Sequence, residues 1–368
     1  MSRTLEVRVP GPTPLPPEVR AALSRPMVSH RSREFRELLS SLDRRLRPLI
    51  GTPDEVVFLT TSGTGGLEAA VANTVEAGDR VLSVCTGYFG ERFAEIARRY
   101  GASVDYLRFE PGQPADPATV RDRLEANEYR AVLVTHCETS TGVLNDVVAL
   151  AQVVRQAPTK PLLLLDAVSS LGAVPFDMNA IGADIVVTAS QKAWMTPPGL
   201  AMLALSPPAW SRVENCATPR LYFDLLAARD SARRGETPWT PALTLLYGLD
   251  VALDLIADEG PQAVFARHQA LARLVRDGLR RLGFVPLAAE AYASPTVTAA
   301  YLPAGVRFAE LSQHLEDEFR VQVSGGQGPL KGKLLRIGHM GYIAEGNVTY
   351  LLEAIEAALR RCRSPEAT

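Results

Sequence analysis

Asp184-Ile-Val-Val-Thr-Ala-Ser-Gln-Lys-Ala-Trp-Met-Thr-Pro-Pro-Gly199 is the most informative stretch of this 368-residue chain. Its β-branched run, residues 185–188, is typical of a buried strand. The two prolines and the glycine at its end exclude a helix there, and a further apolar run, residues 200–205, predicts the next strand. Lys192 therefore lies on a connection between two buried strands. This is an unusual place for a lysine, because lysines are mostly exposed.

A second stretch, Pro161-Leu-Leu-Leu-Leu-Asp166, predicts a buried strand that ends in a carboxylate 26 residues before Lys192. In open parallel sheets, ligands bind in the crevice outside the carboxyl ends of the strands. Asp166 and Lys192 can therefore project into one crevice. A lysine that forms a Schiff base and a carboxylate that keeps a pyridinium nitrogen protonated are what the chemistry of pyridoxal phosphate (PLP) requires.

The motifs Asp166-Ala-Val168 and Ser190-Gln191-Lys192-Ala-Trp194 resemble those of the class V aminotransferases of PLP fold type I. The branch that the chain resembles most is that of the alanine/serine–glyoxylate (or pyruvate) aminotransferases, and the resemblance extends over nearly the whole chain. It implies an α/β fold with PLP as the cofactor. It also implies that Lys192 forms the Schiff base, that Asp166 holds the ring nitrogen, and that Val168 and Gln191 contact the cofactor.

Composition excludes several other classes of protein. The net charge of −2 is made of mixed charges, so nothing indicates a nucleic-acid partner or an anionic membrane. The apolar runs are strand-sized, and the N-terminus has no apolar signal core. The cysteines are scattered without CxxC spacing, which favours reduced thiols in the cytoplasm over a disulfide scaffold or a zinc site. These cysteines are Cys85, Cys137, Cys216 and Cys362.

From residue 56 onward, predicted strands alternate with predicted helices, which is typical of a mostly parallel sheet with helices on both faces. A long amphipathic helix is predicted over 241–259, ended by Gly260. We expect an N-terminal arm over 1–20 that packs on the small domain, a large PLP-binding domain over 21–255, and a small C-terminal α+β domain over 256–368. The predicted strands cover residues 56–60, 81–85, 104–107, 131–135, 162–166, 185–188 and 201–205.

Glycines and hydroxyls link the first of these strands to its helix, over residues 61–66. Glycines allow the backbone to approach a ligand closely, and the N–H groups of a helix N-terminus favour a phosphate. A simple tight turn accounts for the pattern equally well. The resemblance assigns the cofactor phosphate to Ser62, Gly63 and Thr64.

Two further motifs follow strand ends. Phe89 stands before a glycine, a pattern common in loop packing, and the resemblance implies that its ring stacks on the cofactor. His136-Cys137-Glu138-Thr139 contains an HxE pair and a thiol, but no third zinc ligand is close in sequence. The resemblance implies that the hydroxyl of Thr139 bonds the phenolic oxygen of PLP, with His136 and Glu138 as a supporting shell.

The proline-rich residues 6–17 cannot form a helix or a central strand and predict a stiff arm. The resemblance places Gly11, within this arm, over the mouth of the active site and next to the substrate. Further on, His30-Arg31-Ser32 could lie near that site, but a cap for the helix that starts near Ser32 is the interpretation we favour.

Thr240 and Arg336 complete the set of candidate residues. Thr240-Pro241 predicts a helix start in which Thr240 is the cap and Pro241 the first residue. The resemblance adds that Thr240, with Thr237 as a second candidate, binds the phosphate of a neighbouring subunit, which implies a homodimer with shared sites. Arg336 lies in a strand-like Leu-Leu-Arg-Ile run and needs a partner. That partner is either a structural ion pair or, as the resemblance implies, the α-carboxylate of the substrate.

The expected activity is ping-pong transfer of the amino group of alanine or serine to glyoxylate or pyruvate. An aminotransferase for 2-aminoethylphosphonate is the nearer alternative. A cysteine desulfurase-like lyase would need a histidine before the lysine and a mobile loop cysteine, whereas Gln191 precedes Lys192 and Cys362 lies in the predicted last helix. A PLP-binding regulator without turnover would normally carry a DNA-binding domain or lack Arg336, and the sequence shows neither feature.

Overall fold

The computed structural model of the protein describes residues 5–363. The strands, numbered in chain order, are β1 (Glu6–Val7), β2 (Val57–Leu59), β3 (Arg80–Cys85), β4 (Ser103–Arg108), β5 (Ala131–Thr135), β6 (Cys137–Glu138), β7 (Val143–Leu144), β8 (Leu162–Asp166), β9 (Ile185–Ala189), β10 (Ala201–Leu205), β11 (Val285–Pro286), β12 (Val297–Tyr301), β13 (Val321–Gln322), β14 (Ser324–Gly325) and β15 (Leu334–Gly338).

The α-helices are α1 (Pro17–Ala22), α2 (Arg33–Ile50), α3 (Gly63–Ala72), α4 (Tyr88–Arg99), α5 (Pro117–Ala126), α6 (Val147–Gln156), α7 (Met178–Ile181), α8 (Pro207–Asn215), α9 (Leu225–Ala232), α10 (Leu243–Glu259), α11 (Pro261–Arg281), α12 (Phe308–Phe319) and α13 (Glu345–Arg363). Among the residues that the structure describes, no helix is long and apolar enough to cross a membrane.

A seven-stranded sheet forms the centre of the fold, in the order β2-β10-β9-β8-β5-β3-β4. The neighbouring pairs from β9 to β4 are parallel, whereas β10 runs antiparallel to both β9 and β2. Parallel neighbours need a long crossover, usually a helix. The short, proline-containing connection from β9 to β10 contains no helix, and its strands are antiparallel. The predicted α/β fold with a mostly parallel sheet is confirmed.

The central strands are buried because helices cover both faces of the sheet. Every residue of β5, β9 and β10 is buried. Strands buried on both faces have continuous apolar sequences, and this explains the leucine run of β8 and the β-branched run of β9. Alternate side chains of these strands belong to two apolar cores, one on each face of the sheet.

A smaller antiparallel sheet, in the order β11-β12-β15-β14, packs with the last three helices around a third apolar core. Strand β1 pairs in parallel with β13, so the N-terminal segment lies against this part of the chain. Ile256 and Val264 still pack in a core of the large sheet, whereas Leu271 and later residues of α11 pack in the third core. The division at 20/21 and 255/256 stays a prediction.

Helix ends show which local predictions were right. Ser32 caps α2, since its Oγ accepts a hydrogen bond from Phe35 N at 3.3 Å. Gly260 ends α10 as expected. The prediction that Thr240 caps α10 was wrong: the cap residue is Ala242, which has no side-chain hydrogen bond of this kind. The hydroxyl of Thr60, which follows β2, instead accepts a hydrogen bond from Ala242 N at 3.0 Å.

Candidate active site

A cavity of about 220 Å³ lies at the carboxyl ends of the parallel strands. Its walls come from the segments that follow β2, β3, β8 and β9, together with the β5–β6 region and the N-terminal arm. The structure brings most of the residues predicted from the sequence to this one place. The lining residues are Gly11, Ser62, Gly63, Thr64, Leu67, Phe89, Arg92, Thr139, Asp166, Val168, Ser169, Gln191 and Lys192.

The connection that carries Lys192 is held in a fixed conformation. Trp194 is fully buried, and its Nε1 donates to Thr188 Oγ1 at 2.9 Å. Ser190 Oγ donates to Pro197 O at 2.6 Å and accepts from Leu200 N at 3.2 Å. Because both ends of the connection are tied to strands of the central sheet, the backbone of Lys192 has a defined position at the cavity wall.

The Lys192 side chain is buried and reaches across the cavity to the arm. It is 9% exposed, and its Nζ donates to Pro10 O. Burial lowers the pKa of the Lys192 amine to about 8, while the nearby Cys137 and Asp166 oppose that shift. A lysine with this pKa is neutral in an appreciable fraction of molecules near neutral pH, and a neutral amine is the form that attacks a carbonyl.

Gly11 packs against the end of the lysine. A Cβ at this position would lie 2.5 Å from Lys192 Nζ, and the residue has φ +131°, which only glycine adopts readily. Thr13, two residues on, donates from its Oγ1 to Lys192 O at 3.1 Å. The arm therefore closes the cavity over Lys192, in the position that the sequence resemblance implies for Gly11.

Asp166, the last residue of β8, is a buried carboxylate at the cavity wall. It is 5% exposed, its Oδ1 accepts from Val168 N at 3.0 Å, and no ion pair involves it within the described part of the chain. Burial raises the pKa of Asp166 to about 7; Glu138 adds to the rise, while the Val168 hydrogen bond, Lys192 and Arg92 oppose it. A buried carboxylate in this state favours a cationic partner such as a protonated ring nitrogen.

This shift predicts a pH-dependent stability for the apoprotein. Between pH 3.8 and about 7, folded Asp166 holds a proton that the unfolded chain has released, so rising pH destabilises the fold. Asp166→Asn should therefore stabilise the apoprotein, and the gain should grow by roughly 1–3 kcal/mol from pH 5 to pH 8. Thermal and denaturant unfolding at both pH values measure this gain in the free energy of unfolding.

The comparison variant for this experiment is Asp184→Asn, immediately before β9, where burial also raises the pKa of the carboxyl. The two carboxylate oxygens of Asp184 accept hydrogen bonds from Leu163 N at 2.8 Å and from Ser206 Oγ at 2.7 Å. An asparagine side chain has only one such oxygen, so Asp184→Asn should lower the stability of the protein. A gain for Asp166→Asn that stays the same at both pH values would contradict the inferred titration.

The N-terminus of α3 forms one end of the cavity. Ser62 caps this helix, with its Oγ accepting from Gly65 N at 3.3 Å. Thr64 presents its hydroxyl to Arg92, whose Nη1 donates to Thr64 Oγ1 at 3.3 Å. A helix N-terminus, hydroxyls and a guanidinium together make an anion site. The sequence interpretation missed Arg92, although it stands three residues after Phe89 in the same motif.

The Phe89 loop is fixed by Glu138. This carboxylate is fully buried and accepts hydrogen bonds from Phe89 N at 3.1 Å, Gly90 N at 3.1 Å and Ser140 Oγ at 2.6 Å. The guanidinium of Arg92 lies 4.8 Å from the centroid of the Phe89 ring. Phe89 therefore forms an apolar, fixed wall of the cavity, and Glu138 supports it from behind.

Thr139 and Ser169 place two hydroxyls on the cavity wall, with their Oγ atoms 2.7 Å apart. Ser169 was missed from the sequence, since it falls one residue beyond the Asp166–Val168 motif. His136 lies elsewhere: it lines a separate cavity together with residues of α11 and of the segment before β12, and its ring packs against Phe176. His136 is not among the residues that line the active-site cavity, and its role as a supporting residue stays a prediction.

Arg336, in β15 of the smaller sheet, reaches the same region. Its Nη1 donates to Thr139 O at 3.2 Å and to Gln327 Oε1 at 3.2 Å, and its Nε donates to Gly325 O at 2.7 Å. Arg336 is 7% exposed, and burial lowers the pKa of its guanidinium. No carboxylate of the described residues forms an ion pair with it, so the structural ion pair considered from the sequence is absent there.

Thr240 is not brought to this cavity within one chain. It is exposed and lies beside Tyr222, Trp239 and the end of β2, in a separate shallow hollow. Thr237 is buried, and its Oγ1 donates to Trp239 O at 2.7 Å, which shapes the loop. Any contact of Thr240 with a cofactor would have to be made in a second chain.

The cavity fits pyridoxal phosphate. Lys192 supplies an amine, Asp166 an unpaired buried carboxylate for the ring nitrogen, and the α3 N-terminus with Arg92 an anion site for the phosphate. Phe89 and Val168 supply apolar groups for the ring. A fold with a mostly parallel sheet and these groups at its carboxyl edge fits the class of PLP-dependent enzymes.

The chain belongs to the class V aminotransferases, because the family model described as "Aminotransferase class-V" matches residues 17–341. The protein is an aminotransferase, and pyridoxal phosphate is its cofactor. The family match thus covers the central sheet, every lining residue of the cavity except Gly11, and the strand that carries Arg336.

Three similar proteins span almost all of the chain. A protein of Synechococcus sp. named "soluble hydrogenase, small subunit" is 38% identical over 354 residues, covering 95% of this chain and 92% of its own length. The L-aspartate–glyoxylate aminotransferase of Paracoccus denitrificans is 36% identical over 343 residues, covering 92% and 86%. The crystal structure of alanine–glyoxylate aminotransferase from Nostoc sp. has a TM-score of 0.93 at 31% identity, covering 98% and 96%.

Proposed function

We propose that this aminotransferase moves the amino group of a small neutral amino acid, alanine or serine, to glyoxylate or pyruvate by a ping-pong mechanism. The observation that carries the proposal is Arg336, a buried guanidinium without a carboxylate partner among the described residues, hydrogen-bonded to Thr139 O at the cavity wall. Such a group matches the α-carboxylate that amino acids and 2-oxo acids share.

The choice of a neutral donor rests on the other cation at the cavity. Arg92 is the only arginine among the described lining residues, and it is held against Thr64 and over the Phe89 ring, at the phosphate end. The described cavity walls offer no further arginine for a side-chain carboxylate. This supports alanine or serine over aspartate, the donor named for the Paracoccus relative. The alanine–glyoxylate activity named for the Nostoc neighbour also supports glyoxylate as an acceptor.

Each side chain at the site has a separate role in the proposed reaction. Bound PLP supplies an electron-accepting ring that takes up the electrons released at the substrate Cα. Lys192 Nζ would take the proton from that carbon and deliver it to the carbonyl carbon of the cofactor, and the low pKa of its amine favours this role. Asp166 holds the proton on the ring nitrogen. Arg336 orients the substrate through its carboxylate, and the arm at Gly11 limits the access of water.

One of the two alternatives fits this site less well. A cysteine desulfurase-like lyase would need a cysteine that reaches the cavity, whereas Cys362 lies in α13, beside α12. A 2-aminoethylphosphonate aminotransferase shares the same site, except that its donor carries a phosphonate where Arg336 would bind a carboxylate. The cytoplasmic location inferred from the sequence remains a prediction.

Substrate choice gives a direct test. Steady-state assays should pair alanine, serine, aspartate and 2-aminoethylphosphonate with glyoxylate and with pyruvate. We expect alanine or serine with glyoxylate to have the highest kcat/KM, at least tenfold above aspartate. Addition of the best donor alone should bleach the visible cofactor band, because the half-reaction leaves the amino group on the cofactor. A tenfold preference for aspartate or the phosphonate would contradict the substrate proposal and leave the aminotransferase assignment intact.

We further propose that the protein is a homodimer and that Thr240 completes the phosphate site of the partner. Thr240 is exposed next to stacked Tyr222 and Trp239, whose ring centroids lie 6.4 Å apart, and Leu221 beside them is 74% exposed. An exposed aromatic and aliphatic cluster is typical of protein interfaces.

Loss of this hydroxyl should weaken cofactor binding. Thr240→Val should lower the PLP affinity roughly 10- to 100-fold, the effect of losing a hydrogen bond to a charged group. Thr244→Val, on the following helix, is the control and should leave the affinity unchanged.

Sedimentation of the apo- and holoenzymes measures the assembly. A fully active monomer would contradict the shared site.

A further inference from the structure

Helices α12 and α13 bring together three side chains that can bind metals, on the small domain. Glu310, His314 and Cys362 each offer one donor atom, and these atoms all lie within 4.8 Å of one another. Each of the three residues is partly buried. None of them lines the active-site cavity as the structure describes it. Glu310 and His314 are four residues apart and so share one face of α12, and Cys362 comes from α13.

We propose that Glu310, His314 and Cys362 form a binding site for a divalent cation of borderline softness, with Zn²⁺ as the preferred ion. Carboxylate, imidazole and thiolate are all zinc ligands, and a water molecule would complete a tetrahedral site. Donor atoms around a tetrahedral zinc lie roughly 3.6 Å apart, so the site closes by a contraction of about 1 Å. Rotation of partly buried side chains can supply it.

The histidine is oriented as metal-binding histidines commonly are. Nδ1 of His314 contacts Glu318 Oε1 at 2.8 Å. Histidine ligands usually donate the proton of the other ring nitrogen to a carboxylate, which fixes the tautomer. Glu318 is placed to accept a hydrogen bond from Nδ1–H of His314, and it also accepts one from Arg361 Nε at 3.3 Å. Nε2 of His314 is then the nitrogen that takes the cation.

The charges of the site favour zinc over hard cations. Arg307 contacts only Oε2 of Glu310, at 3.2 Å, so Oε1 is the oxygen that takes the cation. A carboxylate and a thiolate together balance the two charges of Zn²⁺. Mg²⁺ and Ca²⁺ prefer sets of oxygen ligands, and the sulfur of Cys362 disfavours them.

The position of the site indicates a structural role. Cys362 lies in the last turn of α13, whereas His314 lies in the middle of α12. A bound ion would link the end of α13 to α12 and stabilise the packing of these two helices. It would not take part in amino transfer. Zinc should therefore raise the thermal unfolding temperature of the holoenzyme and leave kcat unchanged.

Competition with a chromogenic chelator tests the site on the PLP-loaded protein. Wild type should bind one Zn²⁺ per chain, and His314→Ala and Cys362→Ser should each lower the affinity at least 100-fold. Glu318→Gln should lower it roughly 10- to 100-fold, as expected for the loss of a carboxylate that orients a ligand. The matched controls are Cys216→Ser, a thiol of the large domain, and Glu316→Gln, an exposed acid of α12; both should bind as wild type does.

Cobalt gives a second readout that does not depend on affinity. Co²⁺ bound at this site should show a thiolate-to-metal charge-transfer band, measured as a difference spectrum against the metal-free holoenzyme. Cys362→Ser should lose that band, and Cys216→Ser should keep it. If wild type and Cys362→Ser bind Zn²⁺ with the same affinity and stoichiometry, or give the same cobalt spectrum, the proposal is wrong.

Discussion

Lys192→Ala should lower kcat by more than about 10⁴-fold. Proton transfer by a positioned side chain contributes about 10²–10⁴-fold on its own, and the alanine variant also loses the amine that holds the cofactor carbonyl. The cofactor should still bind noncovalently, because the helix N-terminus, Arg92 and Asp166 remain. Steady-state and single-turnover assays measure the loss. The cofactor band in the visible spectrum should shift to that of the free aldehyde.

Chemical labelling checks the same assignment in the wild type. Borohydride reduction should fix the cofactor to one lysine, and peptide mapping identifies it. The chain has only four lysines, so each candidate is resolved; they are Lys160, Lys192, Lys331 and Lys333. The other three are exposed, and Lys331→Ala is the control that should keep full activity. Label on any of those three would refute the role of Lys192.

The strands were predicted well because their signal is local. Residues 131–135, 162–166 and 201–205 coincide with β5, β8 and β10 to the residue. A continuous apolar run that ends in polar residues marks a strand buried on both faces. The start of α10 was not predictable in the same way. The amide of its cap residue, Ala242, donates to the hydroxyl of Thr60, which lies 182 residues earlier in the chain.

The site shows the same contrast between local motifs and distant contacts. The quoted motifs led to most of the cavity residues, since strand ends at one edge of a parallel sheet converge. Arg92 and Ser169 were missed because each motif suggested a role for a neighbouring residue instead. That residue was Phe89 for Arg92, and Val168 for Ser169. The sequence contains no CxxC spacing, and this argued against a zinc site. Cys362 is close to Glu310 and His314 only because two helices pack against each other. Spacing along the chain carries no information on such a contact.

Arg336→Ala should lower kcat/KM for amino-acid donors roughly 30- to several-thousand-fold. The loss of one partner of a buried, hydrogen-bonded charge pair costs roughly 2–5 kcal/mol, and each 1.4 kcal/mol corresponds to about tenfold in rate. The substrate carboxylate would lose a paired contact that the fixed hydrogen bonds of Arg336 preorganise. Arg336→Lys should recover only part of the loss, since an ammonium cannot form the bidentate fork. Steady-state kinetics with alanine and glyoxylate measures both variants.

Two controls separate substrate binding from general damage to the site. Arg280→Ala removes a half-exposed arginine of the small domain and should leave kcat/KM unchanged. The affinity for PLP should survive in Arg336→Ala, because Arg336 is not among the residues that line the cofactor cavity. The loss should also be the same for the donor and for the oxo acid, since both carry the carboxylate that Arg336 binds. A variant that loses its cofactor, or loses activity toward only one of the two substrates, would show that Arg336 acts by shaping the cavity and not by binding the carboxylate.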